Sequence, residues 1–528
     1  MKNQRLFVLL LPLSGILTGL CLVFPQVGFL QWLSMVPALL FLFGKRERTE
    51  TTYRRYYLYG LFYFLAYYLT VYHWFFALYP MEFAGIGKGT ALALVLFCWL
   101  GLSLLQSLFS AFLMPLFIFL CRSKPVERCP LLTPLVFAAL YTIFEWGQTL
   151  TWAGVPWGRL VLGQACSGIL WNSAALFGPY LVTLVLVAVN ALAAYAILHR
   201  QSWRVLTVIA ASLFLFNGVS GAIGFFTADT DTEDGIVVAA VQGNIGSANK
   251  WNDIDGDSKY DIYRNLTAEA VAQGAELIVF PETFIPMNIS ADSKLGMFVC
   301  ELSKTHGVTI LCGAFHTTPE GDEQNAVFAA LPDGTLSECV YAKRHLVPFG
   351  EYVPMRGLIE AIAPWVTELN ILSSDLAPGE GAALLETAYG QIGSLICFDS
   401  IYEELTLESV RAGAEILCLP TNDSWFRDSV ATKMHLAQAR LRAMESNRYI
   451  IRAADTGVSA IIAPDGTTEA ELPAEVRGIS VARVSPNSAR TLYSYIGNLL
   501  VYLLIAAVSV LTVHRIYLFI KEKAQKQE

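Results

Sequence analysis

The chain has 528 residues, of which 55% are hydrophobic and only 15% are charged. This composition is too apolar for an ordinary soluble protein, and the length is sufficient for two or more domains. Residues 1–228 hold 14 Lys and Arg against 5 Asp and Glu, whereas the remainder holds 22 against 39. A basic apolar half followed by an acidic half gives no indication of nucleic-acid binding. The ten cysteines have no zinc-type spacing and no nucleotide-binding motif is present, so we expect neither a metal nor a cofactor.

The first 228 residues contain seven apolar runs long enough to cross a bilayer, and an eighth lies near the C-terminus. These runs cover roughly 5–23, 27–43, 57–79, 90–121, 131–149, 178–199, 203–225 and 495–519. The first run is not a cleavable signal, because a second run follows at once without a small-residue cleavage site. We therefore predict a multi-pass α-helical membrane bundle of about eight spans.

Basic residues cluster in alternate loops and predict the orientation of these spans. The clustered residues are Lys2, Arg5, Lys45, Arg46, Arg48, Arg54, Arg55, Arg122, Lys124, Arg128, Arg200, Arg204, Lys521, Lys523 and Lys526. The opposite loops, near 80–89 and 150–177, hold only Lys88 and Arg159. The positive-inside rule places both termini in the cytoplasm, so the region 226–490 is expected on the outer side.

One outer loop, Thr151–Gly158, combines two tryptophans with Gly and Pro. Such a loop is typical of an interfacial aromatic belt. A substrate-facing role is the alternative, and the sequence leaves both open.

From Gly235 onward the pattern changes to short strands alternating with helices and hairpin turns. Strands are predicted at 236–241, 277–280, 309–314, 326–331, 338–342, 392–396, 416–419, 449–453 and 459–463, and helices near 257–273, 294–305, 402–412 and 431–446. This mixed order predicts a layered α/β sandwich rather than a simple doubly wound sheet. The predicted domains are a membrane bundle over 1–228, a catalytic domain over 229–490, and a final span with a cytoplasmic tail over 491–528.

The stretch Gly390–Ser400 holds the first candidate for chemistry. The strand predicted at 392–396 delivers Cys397 at its carboxyl end. Ser400-Ile-Tyr-Glu403 has the pattern of a capping box that opens a helix. A thiol between a strand end and a helix N-terminus lies near unpaired N–H groups, which favours the thiolate. A buried structural cysteine is the alternative for this position alone.

Two other strand ends carry charged side chains. Glu282 follows a predicted strand, and Lys343 follows another, with Glu351 eight residues further on. Acyl transfer through a thiol needs a base for its proton and a cation or donors for the oxyanion. Glu282, Lys343 and Cys397 supply that set. Taken singly, Glu282 is equally compatible with a helix cap and Lys343 with a solvated charge.

Together these three sites resemble the nitrilase (carbon–nitrogen hydrolase) superfamily, whose Glu–Lys–Cys triad occurs in this order and in these strand contexts. The resemblance covers about 235–485 and implies an α-β-β-α sandwich. It implies that Glu282 is the general base and acid, that Lys343 holds the oxyanion, that Cys397 is the nucleophile and that Glu351 supports the site.

An outward-facing nitrilase-like domain between seven spans and one span resembles the apolipoprotein N-acyltransferase family over the whole chain. Val241-Gln-Gly-Asn-Ile245, Trp251 and the run Leu346–Pro354 are similar to hallmarks of that family. The resemblance implies a multi-pass enzyme of the bacterial inner membrane with a periplasmic catalytic domain. A phospholipid would donate an acyl chain to Cys397, and the α-amine of a diacylglyceryl-cysteine apolipoprotein would accept it. Trp251 would line the substrate entrance.

The chain departs from the family pattern directly after the cysteine. Many members have Tyr then Glu there, whereas this chain has Phe398 and Asp399. The ring of Phe398 is still expected to contact substrate, but a tyrosine hydroxyl has no role here. Asp399 keeps the charge with a shorter reach.

The segment from about 357 to 376 is rich in apolar residues, including Trp365, and follows the loop that holds Lys343 and Glu351. We expect either a lipid-facing flap in which Trp365 contacts substrate, or a small buried helix.

Two rival functions remain at this point. A membrane-tethered nitrilase-type amidase would release ammonia or an amine from an amide. A non-catalytic membrane scaffold would form no covalent intermediate, and an intact Glu–Lys–Cys set argues against it.

Overall fold

The computed structural model describes residues 8–48, 52–81, 86–246, 250, 257–362 and 375–525. The chain divides into two compact units. One comprises Met1–Phe75, Leu94–Phe226 and Ile496–Glu528, and the other Phe76–Ala93 and Thr227–Tyr495.

The first unit is helical. Its α-helices, which lie wholly or largely within it, are Leu10–Val23, Gln31–Ser34, Val36–Arg48, Tyr53–Val71, Lys88–Ser110, Leu113–Leu120, Lys124–Arg128, Leu132–Gly147, Ala174–Phe177, Pro179–Leu198, Trp203–Phe226 and Leu499–Gln525. Short 3-10 helices cover Pro25–Leu30, Tyr72–Leu78, Pro156–Gly158, Leu160–Gln164 and Gly168–Leu170. The apolar runs of the sequence therefore form helices, as predicted.

Six helical segments among the described residues are long and apolar enough to cross a membrane. They are Pro25–Lys45, Tyr53–Leu78, Lys88–Leu120, Pro179–Leu198, Trp203–Phe226 and Leu499–Gln525. The predicted spans at 5–23 and 131–149 correspond to shorter apolar helices of 14 and 16 residues. The multi-pass helical bundle is confirmed, and the count of about eight spans is approximate.

The loop 151–178 is only partly at the surface of the first unit, where Trp152 is 38% exposed. Trp157 is only 2% exposed, and the residues from Pro156 to Ala165 are buried. Backbone that is buried outside regular α-helices needs hydrogen-bond partners. Tyr67 Oη donates to the Gly158 carbonyl at 2.5 Å, and Gln31 Nε2 donates to the Leu160 carbonyl at 2.9 Å. The belt interpretation is therefore wrong for Trp157.

The second unit contains twelve strands, β1 to β12. They are Ile236–Gln242, Leu277–Val279, Thr309–Thr317, Glu323–Ala330, Tyr341–Ala342, Leu384–Thr387, Gly390–Ser394, Ile416–Thr421, Ile450–Ala454, Ser459–Ile462, Thr468–Leu472 and Gly478–Val484. Its α-helices are Asp257–Ala272, Lys294–His306, Arg356–Ile362, Glu403–Ala412, Val430–Ser446 and Leu492–Ile496. The four helices predicted in this region agree with four of these to within one residue at each end.

The strands form two six-stranded mixed sheets, in the orders β12-β1-β2-β3-β4-β5 and β11-β10-β9-β8-β7-β6. Within each sheet three consecutive central strands are parallel, β1-β2-β3 in one and β7-β8-β9 in the other. The carboxyl ends of parallel strands meet at one edge of a sheet, where open α/β folds place their sites.

Successive residues of β1 point to opposite faces of the first sheet, and their contacts show how sheets and helices are layered. Val238 and Ala240 belong to a buried cluster shared with residues of the second sheet, such as Ile451 and Ile461. Ala239 and other residues of the first sheet instead pack in a cluster with the helices Asp257–Ala272 and Lys294–His306. The helices Glu403–Ala412 and Val430–Ser446 contact the second sheet. This is the α-β-β-α sandwich that the resemblance implied, and the fold class is confirmed.

The sequence interpretation missed strands β6, β11 and β12. Strand β11 reads Thr-Glu-Ala-Glu-Leu and is only partly buried, because it lies at a sheet edge. Edge strands carry charged side chains and lack the apolar run used to recognise buried strands.

Candidate active site

Glu282 lies in the loop that follows β2. It is 5% exposed, and its backbone packs directly against β3. At Gly313 of β3 a Cβ atom would lie 2.7 Å from the Glu282 Cα, so only glycine fits there. This close approach fixes the position of Glu282 at the carboxyl edge of the first sheet.

Lys343 directly follows β5 and is held between two carboxylates. Its Nζ lies 2.9 Å from Oε1 of Glu282 and 3.0 Å from the Glu351 carboxylate. Burial alone would lower the pKa of Lys343, but Glu282 and Glu351 outweigh it and raise that pKa well above its usual value. The lysine is therefore a permanent cation at the site.

The Glu351 side chain is oriented by a hydrogen bond to the start of its own turn, at Val347. Its Oε2 accepts from the Val347 backbone N–H at 2.8 Å while the carboxylate contacts Lys343. Burial raises the pKa of Glu351, and Lys343 opposes this shift. Sequence reasoning placed Glu351 beside the site, and the structure brings it to the lysine.

Asn325 of β4 was missed by sequence reasoning. Its Nδ2 donates to Oε1 of Glu282 at 2.7 Å and to Oε1 of Glu351 at 3.1 Å. The backbone carbonyl of Asn325 also accepts from the Lys343 backbone N–H, at 2.8 Å. The only signal available in the sequence was a polar residue directly before the apolar run Ala326–Ala330.

Cys397 follows β7 and opens a 3-10 turn, Cys397–Ile401. Its φ of +49° is in the left-handed region, which is strained for a residue with a side chain. Lys343 and Glu282 are close enough to act on its thiol electrostatically. The strained turn therefore places Cys397 within electrostatic range of the charged cluster.

The structure does not favour the thiolate, although the position of Cys397 between a strand end and a helix start indicated that it would. Desolvation raises the pKa of the Cys397 thiol far above its usual value, Glu282 raises it further, and Lys343 only partly opposes this. The expected capping box is also absent, because Ser400 Oγ donates to the Cys397 carbonyl at 2.7 Å and the following helix begins at Glu403 without a side-chain cap. The thiol is neutral until a base removes its proton.

Asp399 joins the turn that begins at Cys397 to the loop that holds Lys343. Its Oδ1 accepts from the backbone N–H groups of Arg344 and His345, at 3.3 and 2.8 Å. Its Oδ2 accepts from the Ile396 N–H at 3.1 Å and from Tyr341 Oη at 2.9 Å. Asp399, which stands where many family members have the longer Glu, therefore has a structural role in this chain. Its buried position raises its pKa despite these donors.

Phe398 is partly exposed and makes an edge contact with Tyr402, with ring centroids 5.7 Å apart. Tyr402 in turn stacks on His345 at 3.8 Å. The ring of Phe398 thus lies beside Cys397 and is partly open to the protein surface. Trp251, Trp365 and most of the predicted flap at 357–376 lie outside the described residues.

Lys250 is a second buried lysine at the site, and sequence reasoning passed over it. Its Nζ donates to the Glu282 carbonyl at 2.9 Å and lies 3.3 Å from Oδ2 of Asp455. Asp455 follows β9, at the same edge of the second sheet as Cys397. Lys250 therefore links the backbone of Glu282 to the Asp455 carboxylate.

Within the described part of the chain, Cys397, Asp423 and His435 place potential metal-ligand atoms within 4.8 Å of one another. However, Asp423 Oδ1 already contacts His435 Nδ1 at 2.8 Å, and its Oδ2 accepts from Arg452 Nη2 at 2.6 Å. A guanidinium group thus occupies the carboxylate that a metal would need. This set does not fit a metal ion.

The chain was compared with known proteins. A family model described as "Apolipoprotein N-acyltransferase N-terminal domain" matches residues 14–192, and one described as "Carbon-nitrogen hydrolase" matches 237–493. The apolipoprotein N-acyltransferase of Gloeobacter violaceus is 30% identical, covering 91% of this chain and 89% of that protein. That of Methylococcus capsulatus is 30% identical over 69% of this chain and 71% of that protein. Among solved structures, Saccharomyces cerevisiae Nit3, a member of branch 10 of the nitrilase superfamily, is 21% identical, covering 49% of this chain and 93% of that chain with a TM-score of 0.38.

The sandwich fold and the carbon–nitrogen hydrolase match define a nitrilase-type enzyme that carries membrane-spanning helices. More particularly, the chain belongs to the apolipoprotein N-acyltransferase family. It is an acyltransferase and a membrane protein. The amidase alternative is not favoured, because the relatives matched over most of the chain are N-acyltransferases.

Proposed function

We propose that this enzyme transfers a fatty acyl chain from a membrane phospholipid to the α-amine of a diacylglyceryl-cysteine at the N-terminus of apolipoproteins. The proposal rests on one observation above all. A buried Glu282–Lys343 pair lies beside a strained cysteine at the sheet edges of a membrane protein. Family membership supports the lipoprotein acceptor, and the apolar helices support a donor drawn from the bilayer.

In the first half-reaction Glu282 accepts the thiol proton of Cys397 as the sulfur attacks the carbonyl carbon of the phospholipid ester. The resting thiol is neutral, so this general base is required. Lys343 stabilises the oxyanion of the tetrahedral intermediate. The bond from the acyl carbon to the glycerol oxygen then breaks, and Glu282 returns the proton to that oxygen. A lysophospholipid leaves, and the acyl chain remains as a thioester.

In the second half-reaction the α-amine of the lipoprotein attacks the thioester carbonyl. Lys343 again holds the oxyanion, Glu282 removes a proton from the amine nitrogen, and Cys397 leaves as a thiol. Glu351 and Asn325 keep Glu282 and Lys343 in register during both steps. Exclusion of water from the thioester favours transfer over hydrolysis.

We further propose that the enzyme lies in the bacterial inner membrane with both termini in the cytoplasm and the domain near 229–490 on the periplasmic face. The asymmetric Lys and Arg of the short loops support this orientation. Trp251, Phe398 and Trp365 are proposed to contact the substrates.

The decisive experiment is intact mass spectrometry of the purified protein after incubation with phospholipid and no amine acceptor. A long-chain acyl adduct on Cys397 is expected. It should be sensitive to neutral hydroxylamine and should transfer to a diacylglyceryl-cysteine peptide with a free N-terminus. Cys397→Ala should abolish the adduct, whereas Cys300→Ala, at a partly buried cysteine on a helix outside the site, should retain it. An unmodified wild-type chain, or an acyl group on another residue, would overturn the mechanism.

A further inference from the structure

The described residues contain a buried polar network that the mechanism above does not use. His435 lies on the helix Val430–Ser446, Asp423 follows β8, and Arg452 lies in β9. Their side chains are at most 1% exposed. Asp423 accepts from both of the other residues, and Arg452 Nε also donates to the Val458 carbonyl at 3.1 Å. Buried charged groups are costly unless fully paired, so a network of this kind calls for a reason.

The network ends at the backbone of the nucleophile. His435 Nε2 lies 3.1 Å from the carbonyl oxygen of Cys397 and 3.0 Å from Ser400 Oγ. Ser400 Oγ also donates to that carbonyl, at 2.7 Å. Nε2 is thus within hydrogen-bond distance of both the carbonyl and the hydroxyl of this turn, and its hydrogen bond to the carbonyl requires the proton on Nε2, because a carbonyl can only accept. On the other side of the ring, Nδ1 lies 2.8 Å from Asp423 Oδ1 and 3.2 Å from Arg452 Nη2.

Asp423 fixes the orientation of the imidazole. Burial alone would raise the pKa of Asp423, but His435 and Arg452 outweigh it and lower that pKa. The carboxylate is therefore ionised and, together with Arg452, holds the Nδ1 edge of the ring, which leaves Nε2 directed at the turn that begins at Cys397. A positively charged Arg452 on the second oxygen prevents the carboxylate from turning away.

The turn that the ring contacts is a strained one. Cys397 has a φ of +49°, and such a conformation persists only where the surroundings hold it. Asp399 holds the turn from the side of the lysine loop. The Cys397 carbonyl, on the other side, is held by Ser400 and His435.

We propose that His435, oriented by Asp423 and Arg452, is a positioning residue that holds the Cys397 carbonyl and thereby directs the thiol toward Glu282 and Lys343. This inference rests on the proposed role of Cys397 as the acyl-accepting nucleophile. Without the His435 contact the turn relaxes, and the sulfur moves out of line with the base and the oxyanion site. A displacement of about 1 Å in such a constellation costs about 100-fold in rate.

Two substitutions separate positioning from simple packing. His435→Gln places an amide donor near the position of Nε2, whereas His435→Asn reaches only as far as Nδ1 and loses the Cys397 contact. Thr432→Val is the matched control, because Thr432 is buried one turn earlier on the same helix and its hydroxyl bonds to the Arg427 carbonyl, away from the nucleophile.

The test measures three quantities on the full-length enzyme. These are the rate of acyl-enzyme formation with phospholipid, the rate of Cys397 alkylation by iodoacetamide, and the melting temperature. We expect His435→Asn to slow acylation about 100-fold and His435→Gln to recover to within about tenfold of wild type. Thr432→Val should lower the melting temperature with an unchanged acylation rate.

Equal rates for His435→Asn and wild type, or equal losses for His435→Asn and His435→Gln in folded protein, would overturn the inference. If His435→Asn does not fold, Ser400→Ala removes the second donor to the same carbonyl and should slow acylation about tenfold. An unchanged rate for Ser400→Ala would then count against the proposal. Failure of the wild type to form any acyl-enzyme would instead refute the proposed function, while the alkylation rates would still test whether His435 positions the thiol.

Discussion

The Nζ atom of Lys343 lies 2.9 Å from Oε1 of Glu282, and both side chains are almost completely buried. The pair joins the proposed general base and the proposed oxyanion-holding cation in one unit. Any change to one partner must therefore alter the electrostatic environment of the cysteine as well as its own chemical role.

The first prediction separates thiol ionisation from catalysis. Glu282→Gln should speed alkylation of Cys397 by iodoacetamide about tenfold or more, because the Glu282 charge raises the pKa of that thiol. The same variant should form no acyl-enzyme, since an amide cannot accept the thiol proton. Lys343→Met should instead slow alkylation of Cys397, because Lys343 lowers the pKa of that thiol. Peptide mass spectrometry of Cys397 measures both reactions, and slower alkylation in Glu282→Gln would contradict the assignment.

The pH dependence of the free enzyme follows from the same pKa. The Cys397 pKa is raised above its ordinary value of 9.0, so the neutral thiol persists to higher pH and the thiolate fraction below that pH is reduced. Alkylation of wild-type Cys397 should therefore keep rising through pH 9 without levelling off. A plateau near neutral pH would show a resting thiolate and remove the need for a general base.

The third prediction concerns Asn325, which bridges the two carboxylates. Asn325→Leu should slow acyl-enzyme formation about 10- to 100-fold, the cost of losing hydrogen bonds to charged groups. Gln324→Leu is the matched control, because its side chain is on the opposite face of β4 and bonds only weakly to the Pro378 carbonyl. Stopped-time mass spectrometry compares the two variants. Equal rates would indicate that Glu282 and Glu351 hold their positions without the amide.

Asp399 should matter more than Tyr341, although the two share a hydrogen bond. Tyr341→Phe removes one of the four donors to Asp399, and we expect a loss of about 1.5–3 kcal/mol in the free energy of unfolding. Asp399→Asn turns an amide N–H₂ toward backbone donors, so it should destabilise the second unit further and slow acylation. Thermal melting and acylation rates decide this. A larger effect of Tyr341→Phe would show that the lysine loop does not depend on Asp399.

The proposed orientation predicts that a reporter inserted near Asp322 is on the periplasmic side. Asp322 is exposed in the turn between β3 and β4, so an insertion there should be tolerated. Impermeant thiol labelling of a cysteine introduced at Asp322 in intact spheroplasts provides the measurement, with a cysteine at Lys523 as the cytoplasmic control. Protection of the cysteine at Asp322 together with labelling of the cysteine at Lys523 would show that the topology is the reverse of the one proposed.

The last prediction concerns the described part of the proposed flap. The helix Arg356–Ile362 exposes Leu358 by 54% and Ile362 by 74%, as expected for contact with lipid rather than for a buried helix. The double variant Leu358→Glu/Ile362→Glu should reduce acylation from bilayer phospholipid about tenfold or more. Acylation of the same double variant from a short-chain, water-soluble ester should proceed at the wild-type rate, because that donor is not drawn from a bilayer.

Glu360→Gln, an exposed polar change on the same helix, is the control for this experiment. An equal loss with both donors would show that the helix supports the site itself. No loss with either donor would remove any role for the helix in lipid contact.

The amino-acid sequence by itself determined much of this protein. Apolar run length predicted the membrane helices, and strand and helix patterns predicted four helices and most of the strands of the catalytic domain. Glu282, Lys343 and Cys397 were recognisable because each follows a strand end. The supporting role of Glu351 came from the resemblance to the nitrilase superfamily, and the structure brings its carboxylate to the lysine.

Only the tertiary structure decided which other side chains meet these residues. Asn325 reaches Glu282 across 43 residues, His435 reaches the Cys397 carbonyl across 38, and Lys250 reaches Asp455 across 205. These contacts depend on the order of strands in the two sheets, which brings parallel carboxyl ends together without any local pattern. The protonation state of Cys397 was likewise decided by folding, because desolvation by the surrounding protein outweighs the favourable position at the start of a turn.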